Sequence, residues 1–167
     1  MADGAVNVLF LCTGNSARSI MAEAILHDRG AGRFGSFSAG SRPAGKVNPF
    51  ALRQLSFEGH RTDGYRSKSW DEFDEDGQEK IDIVITVCDR AARESCPVWP
   101  GVPVTAHWGI PDPAAASGSD TEIAAAFDRA YHQLAVCIRS FLELPLDDMT
   151  RDELRSALRD IGRTATE

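Results

Sequence analysis

Apolar runs alternate with segments of helical spacing along the chain, and the order of the two predicts the fold. Largely apolar runs at Val6–Leu11 and Ile81–Val87, interrupted by Asn7, Asp82 and Thr86, are typical of central strands in a parallel sheet. Phe34–Ala39 and Val102–Ala106 predict two further strands. Because helical segments lie between and after these runs, the four strands are expected to share one sheet.

The helical segments begin and end at recognisable capping signals. Asparagine before proline opens one helix, and two others begin at capping boxes, in which serine or threonine is followed three positions later by glutamate. The first predicted helix is Ser19–Arg29, ended by Gly30, and the second is capped by Asn48, has Pro49 at its first position and runs through Glu58. The third begins at the box Ser119–Glu122 and has one apolar face, formed by Ile123, Phe127, Ala130, Leu134, Ile138 and Phe141. The fourth begins at the box Thr150–Glu153, has Leu154, Leu158 and Ile161 on one face and is ended by Gly162.

This order of elements predicts an α/β fold, a single doubly wound domain with a four-stranded parallel sheet flanked by helices on both faces. The 167 residues, 43% of them hydrophobic, suffice for one domain with its own core. We expect this domain to span residues 1–145 and a C-terminal helical extension to span 146–167, packing on the sheet rather than offering a contact surface. The acidic stretch Asp71–Glu79 is predicted to be a solvated surface helix or loop, and residues 163–167 a frayed tail.

Charge and composition narrow the class of partner. The formal net charge of −7 argues against nucleic acid or an anionic membrane as the main partner. The chain opens with Met1–Gly4, which lacks the basic residues of a signal peptide, and no apolar run is long enough to cross a membrane. We therefore expect a cytoplasmic location, and we also expect a monomer.

The most informative chemistry lies between the first strand and the first helix, at Cys12–Ser19. A helix N-terminus binds oxyanions and stabilises thiolates, and the planar guanidinium of Arg18 suits a tetrahedral anion. We expect Cys12 to be a nucleophile whose pKa is lowered by the helix, by Arg18 and by a serine hydroxyl. Gly14 would permit the turn, and Asn15 would brace it in a left-handed conformation. The predicted oxyanion-binding residues are Thr13, Gly14, Asn15, Ser16, Ala17, Arg18 and Ser19; the alternative is a cysteine merely buried at a strand end.

The chain has three further cysteines, Cys88, Cys96 and Cys137. Cys88 follows the third strand and should share a crevice with Cys12, because the carboxyl ends of parallel strands meet at one edge of a sheet. Cys137 lies beside the apolar stripe of a helix and is predicted to be core packing. There is no CxxC pair, and the four histidines lack zinc-ligand spacing, so we expect no structural disulfide, no metal and no cofactor.

Several motifs resemble those of the low-molecular-weight protein tyrosine phosphatase superfamily, over roughly Val6 to Leu142. The resemblance rests on Cys12–Ser19, on Ser38–Ser41 and on Asp112-Pro113, where that superfamily has its general acid. Other motifs resemble its arsenate reductase branch, namely Lys46–Pro49, Cys88 with Cys96-Pro97, and His107–Pro113. Phosphatases of the superfamily usually carry an aromatic residue directly after the Asp-Pro pair, where this chain has Ala114.

The resemblance implies a relay of three thiols. Cys12 would attack the arsenic of arsenate while Arg18 holds its oxygens and Asp112 protonates the leaving group. Cys88 would then attack Cys12 and release arsenite, and Cys96 would attack Cys88. The resulting disulfide would be reduced by thioredoxin, or by a glutaredoxin or low-molecular-weight thiol system, and phosphate or sulfate would compete with arsenate. A turn of helix at Ala91–Glu94 would unwind, so that oxidised and reduced forms differ mainly between Cys88 and Pro97.

Some features leave alternatives open. Thioredoxin-linked members of the branch can bind potassium through residues that match Asn15, Glu23 and Ser38; here Lys68 falls near the fourth, acidic position, and we expect its ammonium to take the place of the ion. Cys88 and Cys96 could be incidental, and Asp112 could be only a turn residue. A phosphatase acting on aryl phosphates and a non-catalytic oxyanion-binding or redox-sensing module are the competing functions.

Overall fold

The structure, a computed structural model, describes residues 5–73, 80–88 and 103–165. Four strands form one parallel sheet in the order β2-β1-β3-β4, with β1 at Val6–Cys12, β2 at Phe34–Gly40, β3 at Ile83–Thr86 and β4 at Val104–His107. The helices are α1 at Arg18–Arg29, α2 at Pro49–Phe57, α3 at Asp120–Leu142 and α4 at Arg151–Ala165. The predicted fold class is confirmed, and the predicted strands and helices are all present.

The chain order reverses across β1, because β2 and β3 lie on its two sides. Doubly wound sheets bind their ligands at such a switch point, outside the carboxyl ends of the strands. Cys12 ends β1, and Cys88 follows β3 by two residues. The topology therefore directs both thiols to the same crevice.

Two apolar clusters cover the two faces of the sheet. Successive residues of β1 alternate between them, with Val8 and Phe10 in the larger cluster and Leu9 in the smaller one. The larger cluster includes buried residues of all four helices, whereas the smaller one takes in Phe73 from a 3-10 turn at Trp70–Phe73. Both faces of β1 are thus buried, as its largely apolar run predicts.

Several element boundaries differ from the predictions. β3 is shorter than its apolar run, because Ile81 and Val87 are buried in the core without belonging to the strand. α2 ends at Phe57, one residue before the predicted limit. Gly30 follows α1 with a right-handed backbone, and the chain turns at the next two residues, Ala31 with φ of 50° and Gly32 with φ of 82°.

The acidic stretch and the C-terminal helix also depart from expectation. The described part of Asp71–Glu79 forms the end of a 3-10 turn whose Phe73 is buried, so this part is not wholly solvated. Gly162 does not end α4, which continues through Ala165 and includes the first residues of the predicted tail. Among the residues that the structure describes, no helix combines the length and apolarity needed to cross a lipid bilayer.

Candidate active site

The loop between β1 and α1 is held by its carbonyl oxygens. Three of them accept hydrogen bonds from backbone N–H groups of the segment 42–48, which does not line the pocket described below. The bonds run from Arg42 N to Thr13 O at 2.9 Å, from Ala44 N to Gly14 O at 2.9 Å and from Asn48 N to Ser16 O at 2.8 Å. Because these carbonyls are occupied outside the pocket, the loop does not present them to an anion inside it.

Asn15 braces the loop from below and is completely buried. Its φ of 45° is left-handed, as the sequence predicts for this asparagine, whereas Gly14 has no positive φ. The Asn15 side-chain amide donates to Ser19 Oγ at 2.8 Å and to Ser38 Oγ at 3.0 Å. Its carbonyl oxygen accepts from the backbone N–H of Lys68 at 2.9 Å. These bonds repay the strain of the left-handed turn.

Gly40 at the end of β2 lies directly under the loop. A Cβ at this position would lie 2.5 Å from the carbonyl oxygen of Thr13 and 3.0 Å from Asn15 N, so only glycine permits the approach. The Ser67 hydroxyl adds a bond to Gly14 O at 3.1 Å. Sequence reasoning missed Ser67, which carries no local signal because its contact depends on the path of a distant segment.

Arg18 is anchored at both arms of its guanidinium. Nη1 donates to the carbonyl oxygen of Ile110 at 2.8 Å, and Nη2 lies 3.6 Å from Asp112 Oδ2. The other carboxylate oxygen of Asp112 accepts from the backbone N–H of Ala114 at 2.9 Å, at the start of a 3-10 turn. The guanidinium is therefore oriented before any anion binds. Ile110 acts through its backbone, which explains why no sequence pattern reveals it.

Cys12 and Cys88 face each other at the base of the site. They are 6% and 2% exposed, and their thiols are hydrogen-bonded to each other. The pKa of Cys12 is raised above its ordinary value, chiefly by this bond and then by burial, while the charge of Arg18 opposes the shift. This is contrary to the lowered pKa expected from the sequence, because the bond to Cys88 and the burial of the thiol together outweigh the charge of Arg18. Thr13 Oγ1 lies 3.7 Å from Cys88 Sγ.

These groups line one open pocket of about 630 Å³. The structure brings together Cys12, Arg18, Cys88 and Asp112 there, along with loop residues and the apolar wall Gly109–Pro111. Of the predicted oxyanion-binding residues, Asn15 and Ser19 lie beneath the loop and not on the pocket surface. Cys96 and the predicted turn at residues 91–94 lie outside the described residues.

A polar cluster around Glu23 supports the loop from the far side. Lys68 Nζ lies 3.8 Å from Glu23 Oε1, 3.5 Å from Ser38 Oγ and 3.1 Å from the carbonyl oxygen of Arg66. Ser38 donates to the same carboxylate. Burial raises the pKa of Glu23 and lowers that of Lys68, and their mutual attraction only partly offsets this. Two opposite charges with little exposure thus lie directly behind Asn15.

Two remaining sets of titratable groups lie away from the pocket. Cys137 is completely buried in α3, and burial raises the pKa of its thiol to about 12, which suits core packing. Glu58, Asp128 and His132 come close enough together to hold a metal ion, a grouping that the histidine spacing alone did not reveal. None of these residues lines the pocket.

Comparison with known proteins agrees with this geometry. The sequence profile of low molecular weight phosphotyrosine protein phosphatases matches residues 7–151. The chain belongs to this family. Its relatives in the family include an arsenate reductase from Halalkalibacterium halodurans, 37% identical over 136 residues, which cover 81% of this chain and 94% of the relative.

Solved structures within the family are similar as well. One is an arsenate reductase from Archaeoglobus fulgidus, with a TM-score of 0.65 and 27% identity over 82% of this chain and 99% of the other. Another is a thioredoxin-dependent arsenate reductase from Corynebacterium glutamicum, with a TM-score of 0.56 and 26% identity over 83% of this chain and 64% of the other. The family match ends where α4 begins.

Proposed function

We propose that this protein reduces arsenate to arsenite with Cys12, Cys88 and Cys96 acting in turn. The observation that carries the proposal is the second thiol, since Cys88 is hydrogen-bonded to Cys12 inside an oxyanion pocket. Hydrolysis of a phosphate ester needs only one thiol, whereas reduction needs a second to accept the bond from the first. The arsenate reductases among the relatives support the same activity.

The first step joins sulfur to arsenic. Arg18 and the loop hold the arsenate oxygens, and Cys12 sulfur forms a bond to arsenic as an As–O bond breaks. Asp112 is beside Arg18 and protonates the departing hydroxide, which leaves as water, and the proton released by the Cys12 thiol restores Asp112.

In the second and third steps arsenic is reduced and the cysteine sulfurs are oxidised to a disulfide. Cys88 sulfur attacks Cys12 sulfur, the S–As bond breaks, and its electron pair stays on arsenic, which leaves as arsenite and takes up the Cys88 proton. Cys96 then attacks the Cys88 sulfur, which forms a Cys88–Cys96 disulfide and frees Cys12. Each exchange needs an in-line approach of a thiolate, and Cα atoms within about 7 Å for each disulfide.

A dithiol donor restores the enzyme by reducing the last disulfide. We propose thioredoxin, in line with the thioredoxin-dependent relative, with glutaredoxin or a low-molecular-weight thiol as the alternatives to be tested. Phosphate and sulfate are expected to compete for the pocket, because they are tetrahedral oxyanions like arsenate. A cytoplasmic location and a monomeric state stay predictions from the sequence.

We further propose that the Lys68 ammonium takes the place of a potassium ion beside the loop. Its distances to Glu23 and Ser38 support this, since a cation there balances the buried carboxylate. Asn15 is then held in place from the Lys68 backbone, without a requirement for a free ion. The loop would keep its shape in buffers of sodium or potassium alike.

The test is arsenate-dependent oxidation of NADPH, with the thioredoxin, glutaredoxin and low-molecular-weight thiol systems supplied in turn. Wild type should turn over with one donor, and Cys88→Ser and Cys96→Ser should each lose multiple turnover. Cys137→Ala is the matched control, because this cysteine is buried far from the pocket and should leave turnover intact. Full turnover by Cys88→Ser would contradict the relay.

The phosphatase is the second candidate, and the size of the pocket favours it. A volume of about 630 Å³ exceeds what a single arsenate needs and leaves room for an aryl group. The test is hydrolysis of an aryl phosphate by wild type and Cys88→Ser. Equal hydrolysis by both proteins, with no arsenate reduction by either, would show that the protein is a phosphatase and not a reductase. Anion binding without either activity would leave a binding or sensing module.

A further inference from the structure

The C-terminal helix α4 is part of the main core although it lies beyond the family match. Leu154 and Leu158 are 3% and 0% exposed within the larger apolar cluster, and the helix packs on β4 and α3. β4 is an edge strand, so β3 supports it on one side only. α4 is therefore a second support for this edge of the sheet.

The helix holds the segment 107–110, at the end of β4 and beyond it, by two close contacts. The indole N–H of Trp108, a residue with no exposed surface, donates to the carbonyl oxygen of Leu158 at 3.0 Å. Gly162 lies against the same segment, and a Cβ there would be 2.6 Å from the carbonyl oxygen of His107 and 2.8 Å from Trp108 Cδ1. Such distances leave no room for a side chain, so glycine allows the helix to approach the backbone of the segment directly.

The other end of the segment 107–110 holds the guanidinium of Arg18. Trp108 N donates to Thr86 O at 2.8 Å, and two residues later Ile110 N donates to Val87 O at 3.2 Å. The carbonyl oxygen of Ile110 then accepts from Arg18 Nη1. A continuous set of short contacts therefore joins α4 to the arginine of the oxyanion pocket.

We propose that α4 is a positioning element of the active site, and that Trp108 and Gly162 are positioning residues which set the place of Arg18 through Ile110. The inference rests on the proposed function only in giving Arg18 the task of binding the oxyanion. A helix that pulls the segment toward the core fixes where the Ile110 carbonyl lies, and a misplaced carbonyl turns the guanidinium away from the anion.

The experiment measures phosphate binding by the full-length protein, as protection of Cys12 from iodoacetamide. Gly162→Ala forces α4 and the segment apart, and Trp108→Phe keeps an aromatic ring but loses the donor to Leu158. We expect each to weaken phosphate binding about tenfold, the size of one charge-assisted hydrogen bond. Ser156→Ala, on the exposed side of α4, is the matched control and should bind phosphate like wild type.

A double-mutant cycle separates positioning from loss of stability. In an Arg18→Lys background the fork that binds Ile110 is gone, so Gly162→Ala and Trp108→Phe should change phosphate binding less than twofold. Equal losses in both backgrounds, or unchanged phosphate binding in folded Gly162→Ala and Trp108→Phe proteins, would overturn the proposal. If Gly162→Ala does not fold, Trp108→Phe decides the question. Absence of arsenate reduction would refute the proposed function without affecting this result.

Discussion

The buried pair Glu23–Lys68, which lies behind the loop, offers a sharp test of the electrostatic reasoning. The ammonium and carboxylate are 3.8 Å apart, and their side chains are 8% and 15% exposed. At an effective dielectric constant of about 20, two unit charges at this distance attract by about 4 kcal/mol. Desolvation opposes the attraction, as the raised pKa of Glu23 and the lowered pKa of Lys68 indicate.

Removing one partner leaves the other charge buried without compensation. In a double-mutant cycle, Glu23→Gln, which has the same shape, and Lys68→Met should show a coupling of about 4 kcal/mol, which is the attraction between the two charges. The double variant should be at least as stable as wild type, because no buried charge remains. The measurement is urea unfolding at one pH, repeated in sodium and potassium chloride at equal ionic strength.

Two results would refute this account. A coupling below about 1 kcal/mol in the double-mutant cycle would show that the charges do not act as a pair. A potassium-specific gain in the stability of wild type would show that Lys68 does not replace an ion. The backbone bond from Lys68 to Asn15 survives in every variant, so the loop itself is not the object of the test.

The pH dependence of the same variants has a defined sign. Because the folded pKa of Glu23 is raised, the stability linked to it is complete below the unfolded pKa and is lost as the pH rises through the folded pKa. Glu23→Gln should abolish this loss. For Lys68, whose folded pKa is lowered, the linked stability is present above the unfolded pKa and is lost as the pH falls through the folded one.

Three further predictions concern other contacts. Cys88→Ala removes the largest cause of the raised pKa of Cys12, so iodoacetamide should label Cys12 faster at pH 7; an unchanged or slower rate by mass spectrometry would contradict this. Gly40→Ala places a Cβ 2.5 Å from Thr13 O and should cost about 1–3 kcal/mol in urea unfolding and weaken phosphate binding, whereas full binding would show that the loop can yield. Burial raises the pKa of Tyr65 to about 12, so its linked stability is complete below about pH 10 and is lost as the pH rises toward 12; Tyr65→Phe should lose less stability over that range, and parallel losses would count against it.

Much of the fold was predictable because its signals are local. The capping box at Thr150 forms as predicted, with the hydroxyl accepting from Glu153 N at 3.1 Å and Thr150 N donating to the Glu153 carboxylate at 3.0 Å. Asn48 likewise caps α2 by accepting from Phe50 N at 2.8 Å. Such signals need only four consecutive residues, so the sequence contains all the information they use.

The parts of the site that were not predicted depend on distant partners. The direction of the Cys12 pKa shift follows from contact with Cys88, and no local rule about helix N-termini contains that contact. The bond from Arg18 to Ile110 joins residues 92 positions apart through a backbone oxygen, which has no residue type to recognise. Gly162 was predicted to end a helix, whereas it allows a close approach between α4 and the end of β4. A glycine of either kind looks the same in the sequence.

The contact between the two thiols also bears on how the protein survives without its substrate. Peroxides and other oxidants react with thiolates far faster than with thiols. The pKa of Cys12 is raised by its bond to Cys88 and by burial, so the resting thiol reacts slowly with such oxidants. An enzyme of this design would lose less of its own sulfur to oxidation while it has no substrate.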